Sequence, residues 1–181
     1  MCGGRGTRLA HGEKPLVEVG GKAMIDRVID AVSPVVDTIY AVPSSHTPET
    51  RTHLASRVPI IDTEGEGYVE DLTQALSRVE RPVLTVTADL PLLQTADVRA
   101  ALAAYSGGSL TVCVPVARKR ALGVSVGTRF DYEGEQVAPT GLNVVDEGGE
   151  RVWVTDRVGL AVNVNRSGDL QVASVVSSER F

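Results

Sequence analysis

Residues 2–9 read Cys-Gly-Gly-Arg-Gly-Thr-Arg-Leu, and Glu13-Lys14-Pro15-Leu16 follow shortly after. Gly3, Gly4 and Gly6 can adopt positive φ and let successive backbone N–H groups come close to a ligand. A turn of that kind is a concave anion site, and a helix starting behind it adds a partial positive charge. Arg5, Arg8 and Lys14 supply full charges. The segment therefore predicts a cradle for a polyphosphate, which restricts the fold to those that present such a loop at a sheet end.

Two common phosphate loops are excluded by spacing. A Walker loop requires Lys-Ser/Thr after its last glycine, and Thr7 follows Gly6. A dinucleotide fingerprint requires a third glycine where Leu9 stands. The joint pattern of Gly3-Gly4-Arg5-Gly6-Thr7-Arg8 with Lys14-Pro15-Leu16 instead resembles the signature of nucleotidyltransferases that activate sugars and cofactors.

The remaining chain reads as alternating elements. Met24, Ile25, Val28, Ile29 and Val32 share a helical face, and Pro34 stops that helix. Residues 38–42 read as a buried strand. Thr47-Pro48-Glu49 reads as a cap, a proline in the first turn and an early acid. Residues 58–61 predict a short strand, 69–79 a helix, and 82–87 a strand. Thr95 is expected to cap a helix reaching Tyr105, before a strand over 110–115. This alternation predicts a Rossmann-like α/β fold, a mostly parallel sheet with helices on both faces. The later segments 124–131, 136–139 and 151–157 are short and turn-rich, suggesting extra strands at the sheet edge. Ser167-Gly168-Asp169 is expected to open a last short helix. In such folds the glycine loop follows a central first strand. Here almost nothing precedes Gly3, so that strand is missing from the sequence, and a native start upstream of Met1 is expected.

With 181 residues the chain suits one domain, residues 1–181, with a sizeable core. A net charge of −5 argues against a nucleic-acid surface. No apolar run is long enough to span a bilayer and no signal peptide opens the chain, so a cytoplasmic location is expected. Cys2 and Cys113 are too few for a disulfide framework. Only three lysines occur, so each is less readily surface filler, Lys14 above all.

Asp89 follows a buried strand directly, at the end where open α/β sheets bind ligands. A carboxylate there can hold Mg2+ shared with nucleotide phosphates, or it can cap the turn before Pro91. Gly141 and Asn143 open an apolar strand and can approach a nucleotide base or acceptor, or form an ordinary turn. Asp71, beside Glu70 at a helix start, can accept from a guanine edge or a ribose, or offset the helix dipole. Asn163 and Asn165 should point to opposite faces of a strand. Asn163 is favoured for the site, because it resembles the second metal-associated residue of the nucleotidyltransferases, with Asn for the commoner Asp. His11, His46 and His53 show no metal spacing. The Arg118-Lys119-Arg120 run reads as a solvated loop, or one that meets an acceptor phosphate.

From Cys2 to about Ala173 the chain resembles the archaeal adenosylcobinamide-phosphate guanylyltransferases, within the molybdenum-cofactor-guanylyltransferase-like superfamily. Besides the two N-terminal motifs, the likeness rests on Gly67-Tyr68-Val69-Glu70-Asp71-Leu72, Ala88-Asp89-Leu90 and Gly141-Leu142-Asn143-Val144-Val145. The Gly-Pro-Leu-x-Gly loop of molybdenum-cofactor guanylyltransferases is missing. The resemblance implies transfer of GMP from GTP to adenosylcobinamide phosphate, with pyrophosphate released. It implies that residues 3–7 (Gly3, Gly4, Arg5, Gly6, Thr7) hold the β- and γ-phosphates, with Arg8 on the leaving pyrophosphate. Lys14 would act on the α-phosphate and Asp89 on the metal. Gly141 and Asn143 would line the nucleotide or corrinoid side. A homodimer is compatible with this reading. The rivals are transfer to molybdopterin or a sugar phosphate, and a nucleotide-binding module without catalysis.

Overall fold

Met24, Ile25, Val28 and Val32 are buried along one face of α1 (Met24–Val32), as their spacing predicts, whereas Ile29 is only partly buried and Ala31 joins the buried set. The computed structural model describes residues 1–3 and 12–180. The expectations placed on Gly4, Arg5, Gly6, Thr7, Arg8 and His11 lie outside the described residues. Ahead of α1, Lys14–Leu16 form one 3-10 turn. Strands β1 (Glu18–Val19) and β2 (Lys22–Ala23) then pair as a hairpin around Gly20 and Gly21, both at positive φ. After α1 come α2 (Pro48–Leu54), α3 (Tyr68–Leu76), β3 (Val83–Val86), α4 (Thr95–Ala104), β4 (Ser109–Pro115) and α5 (Val116–Ala121). The chain continues through β5 (Phe130–Tyr132), β6 (Glu135–Val145), β7 (Glu150–Val154), α6 (Val158–Ala161) and α7 (Ser167–Arg180).

The central sheet runs β3-β6-β4-β7, with β5 on β6. Strands β4 and β7 are parallel, whereas β6 is antiparallel to β3, β4 and β5. The fold is therefore the expected α/β class, and the turn-rich region after residue 115 contributes a long reversed strand to the middle of the sheet. One core cluster joins Val28 and Val32 of α1 and Val98 and Ala101 of α4 to Leu110, Val112, Leu142 and Val144 of the sheet. A second joins Val19 and Met24 to Val162, Val164 and Ala173, seating α7 against the hairpin.

Several local expectations change. Residues 38–42 and 58–61 are extended but form only isolated parallel bridges, Ala41 with Ile60 and Ser44 with Thr63. The physical reason lies next to them. Between the 39–42 segment and β3 is a cavity of about 750 Å³, lined by Ile25, Val28, Ile39, Leu84, Val86 and Val144 among others. A strand with a partner on one side only makes half a ladder. At the end of this gap, the Met1 N–H group donates to Val86 O, Ala88 N to Met1 O, and Cys2 N to Val42 O. Met1 and Cys2 thus bridge the end of β3 and the 39–42 segment.

The caps also differ. Thr47 makes no side-chain cap on α2; its hydroxyl is taken by the backbone of Ser44. Gln94 rather than Thr95 caps α4, in a reciprocal box with Asp97. Of the segment 124–131 only the end is strand. The last helix is long, at 14 residues.

Candidate functional site

Four chain segments converge where β3 ends. The first carries Glu13 and Lys14. Both Glu13 carboxylate oxygens accept from the first turn of α2, from Glu49 N at 2.8 Å and Thr50 N at 2.7 Å. A carboxylate suits that position, because the helix start leaves N–H groups unpaired and carries partial positive charge. Glu13 thereby takes the capping role expected of Thr47. Pro15 sits in the first turn after Lys14, where its missing N–H costs nothing. So anchored on both sides, Lys14 points its ammonium at Asp89 Oδ2, 2.8 Å away.

The second segment carries Thr87 and Asp89. Thr87 Oγ1 donates to Asp89 Oδ1 at 2.7 Å. Gly141 explains how these residues are held. It lies at φ +87°, and a Cβ there would fall 2.2 Å from Thr87 Oγ1. Only a glycine lets β6 pass under the end of β3 so closely, and Thr87 N donates to Gly141 O.

The third segment carries Asn163 and Asn165, and both amides reach the pair. Asn163 Nδ2 donates to Asp89 Oδ1 at 3.2 Å and to Thr140 O at 2.7 Å. Asn165 Oδ1 accepts from Lys14 Nζ at 2.8 Å. The opposite-face expectation does not hold, because residues 162–165 lie outside any ladder strand and period-two alternation does not govern them. Behind this segment Asp169 is almost wholly buried and accepts from the backbone N–H of Ser125, Asn165 and Arg166 and from the Ser125 hydroxyl. Burial pushes its carboxyl up, but those bonds outweigh burial and hold it below the usual carboxylate value.

The fourth segment is the loop before α3. Asp71 is buried, and its Oδ1 accepts from Gly65 N at 2.9 Å, pinning the 65–67 turn. Tyr68 follows with its ring nearly half exposed, at 46%. Burial of the hydroxyl end and the nearby Asp89 charge both raise its pKa, so the phenol stays a hydrogen-bond donor. These segments enclose a pocket of about 310 Å³ lined by Gly3, Lys14, Gly67, Tyr68, Asp71 and Asp89 among others. At its rim Ser44 Oγ donates to Gly3 O at 2.6 Å, and a Cβ on Gly3 would fall 2.8 Å from Ser44 Cβ.

Of the expected site residues described, Gly3, Lys14, Asp71 and Asp89 share this pocket. Asn163 supports Asp89 from below, and its amide meets Asp89 through nitrogen. Gly141 lies beneath Thr87, and Asn143 pairs with Thr85 and Thr111 inside the sheet, so neither lines the pocket. Among the described residues no group of three His, Cys, Asp or Glu side chains could hold a metal ion. Sequence reasoning missed Thr87, two residues before Asp89, and set Asn165 aside in favour of Asn163, although both amides reach the pair. The lining residue His46 carried no readable signal. Cys2 is buried, which raises its pKa, and Cys113 is a core thiol pushed up by burial to about 11. No described helix is long and apolar enough to cross a membrane.

The profile described as "MobA-like NTP transferase domain" matches residues 1–154. The chain is 28% identical to the adenosylcobinamide-phosphate guanylyltransferase of Methanocaldococcus jannaschii, over 97% of this chain and 94% of that one. Among solved structures, a hypothetical transferase from Thermus thermophilus superposes with TM-score 0.72 at 20% identity, covering 94% of this chain and 96% of the other. A CMP:2-keto-3-deoxy-manno-octonic acid synthetase complexed with CTP superposes with TM-score 0.73 at 16% identity, covering 99% and 96%. These likenesses establish the fold.

Proposed function

Because the chain belongs to the MobA-like NTP transferase domain family, we propose that it transfers GMP from GTP to adenosylcobinamide phosphate. The observation that carries the reaction class is the Lys14–Asp89 pair at the mouth of a pocket ending in Gly3. The acceptor follows from the end-to-end likeness to the M. jannaschii guanylyltransferase.

An acceptor phosphate oxygen attacks the α-phosphorus in line. One P–O bond forms as the bond to the β-phosphate oxygen breaks, and pyrophosphate leaves. The nucleophile is already anionic, so no general base is needed. The protein's work is positioning and charge stabilisation. Lys14 Nζ has three donors and gives two hydrogen bonds, to Asp89 and Asn165. Among the described residues the remaining N–H has no partner, and it can meet α-phosphate oxygens, whose negative charge grows in the transition state. Arg8 and residues 3–7 belong to the phosphate cradle in this reading, and Asp71 accepts from the nucleotide's base or ribose. Gly141 acts through Thr87, and Asn143 through the sheet.

Of the two residues expected to hold a metal, Asn163 offers no oxygen, since its Oδ1 accepts from Lys119 and its Nδ2 faces Asp89; Asp89 alone fits Mg2+, which is commonly held by one or two carboxylates shared with substrate phosphates. Asp89 would hold it, with the nucleotide completing its coordination. Mg2+ so bound would neutralise charge on the phosphates.

The test is product analysis by mass spectrometry. A corrinoid that gains one GMP unit supports the reading, and an unchanged corrinoid beside consumed GTP contradicts it. ATP, CTP and UTP run in parallel decide the base.

A further inference from the structure

Lys119 stands in the middle of the Arg118-Lys119-Arg120 run, yet it is only 3% exposed. It lies on α5, three residues after the buried Val116, so both share the inward face of the helix. Its ammonium donates to Ala161 O at 2.8 Å and to Asn163 Oδ1 at 2.9 Å. Among the described residues no carboxylate lies within ion-pair reach of it. Burial of a charge without a carboxylate partner is costly. A methionine would fill similar volume and avoid that cost, so packing alone does not call for an ammonium here.

What the ammonium does is act on Asn163. An ammonium only donates, so it meets the amide oxygen, while Thr140 O only accepts and meets the amide nitrogen. The second N–H of that nitrogen is then left to face Asp89 Oδ1. A donor on the oxygen also polarises the amide and strengthens its N–H toward the carboxylate. The relay therefore runs from Lys119 through Asn163 to Asp89, whose other oxygen holds Lys14. Without Lys119, Asn163 Oδ1 would be a buried acceptor with no partner. Turning the amide over would set that oxygen against Thr140 O and Asp89 Oδ1, both acceptors, so only a swing of the side chain toward another donor relieves it, and that swing withdraws the N–H from Asp89.

We propose that Lys119 is a positioning residue of the transfer site, setting the Asn163 amide and through it the Asp89 carboxylate that Lys14 uses. The proposal rests on the transferase reading above and adds a residue that never touches substrate. Lys119→Met tests it. The expected result is a fall in kcat of about 10- to 100-fold, as for other residues that orient a site's ligands, with KM for GTP within about threefold and a folded protein that still unfolds cooperatively. Combined with Asn163→Ala, the losses should be non-additive, since both variants cut one relay. Wild-type turnover in Lys119→Met, additive losses, or a variant that fails to fold would each overturn the proposal.

A second measurement is independent of turnover. In 15N spectra the Asn163 side-chain amide signal should move in Lys119→Met, and an unmoved signal also overturns the proposal. If wild-type protein does not use adenosylcobinamide phosphate, the acceptor reading fails, and the amide spectrum still decides Lys119.

Discussion

The two sides of Met1 and Cys2 are built on opposite principles. On one side, the Asp89 region is cross-linked by Lys14, Asn163 and Asn165 from distant parts of the sequence and by Thr87 next to it, backed by Lys119 and Asp169. On the other, the gap between β3 and the 39–42 segment is lined by apolar side chains that face about 750 Å³ of cavity. The polar brace is satisfied almost donor for acceptor, whereas the apolar gap forgoes packing contacts that interiors ordinarily make. The difference teaches that the site's geometry is set by directional polar bonds, several of them between segments distant in the sequence. The brace hangs on β3, β6 and α7; β3 and β6 also border the gap, whereas α7 packs in the second core cluster.

That contrast can be broken by substitution. Leu142 is fully buried on β6 within the main cluster. Leu142→Ala should cost about 3–5 kcal/mol of stability in denaturant unfolding, as truncations at packed sites do. Lys14→Ala should leave stability nearly unchanged and raise the transfer barrier by about 2–4 kcal/mol, since it removes a contact that strengthens as charge develops. Steady-state kinetics at saturating GTP checks this, and near-normal turnover would remove Lys14 from the mechanism.

Asp169 probes the back of the brace. Its carboxyl is held below the ordinary value in the folded protein. Its contribution is therefore present at neutral pH and is lost as pH falls through the folded value. Asp169→Asn should cost about 1–3 kcal/mol at pH 7, and the deficit should shrink on acidification below about pH 4, the unfolded carboxylate range. A deficit independent of pH would show that the contribution is packing.

The smallest effects belong to the gap. Leu84, which lines it, should lose only about 1 kcal/mol on change to Ala, because little packing is removed. Equal losses from Leu84→Ala and Leu142→Ala would erase the contrast.

Much of this architecture is legible in the chain because it is local. The face of α1, the Pro48 start of α2 and the strands at 83–86 and 109–115 follow from periodicity and breakers. So do Lys14 and Asp89, each beside a proline-marked turn. What was not legible is long-range. Glu13 caps a helix that starts at residue 48, and nothing in either segment announces the other. Asn165 reaches the site only because residues 162–165 leave the ladder. Lys119 was hidden in a basic run that reads as solvated, although Val116 three positions earlier marks the inward face. The 38–42 strand pattern is apolar as a strand requires but yields only one isolated bridge, Ala41 with Ile60.

The most direct test of the account is pyrophosphate release from GTP, measured with and without adenosylcobinamide phosphate. Release that requires the corrinoid and is lost in Lys14→Ala is the predicted result. Release that ignores the corrinoid, or GTP binding with no release at all, would contradict it.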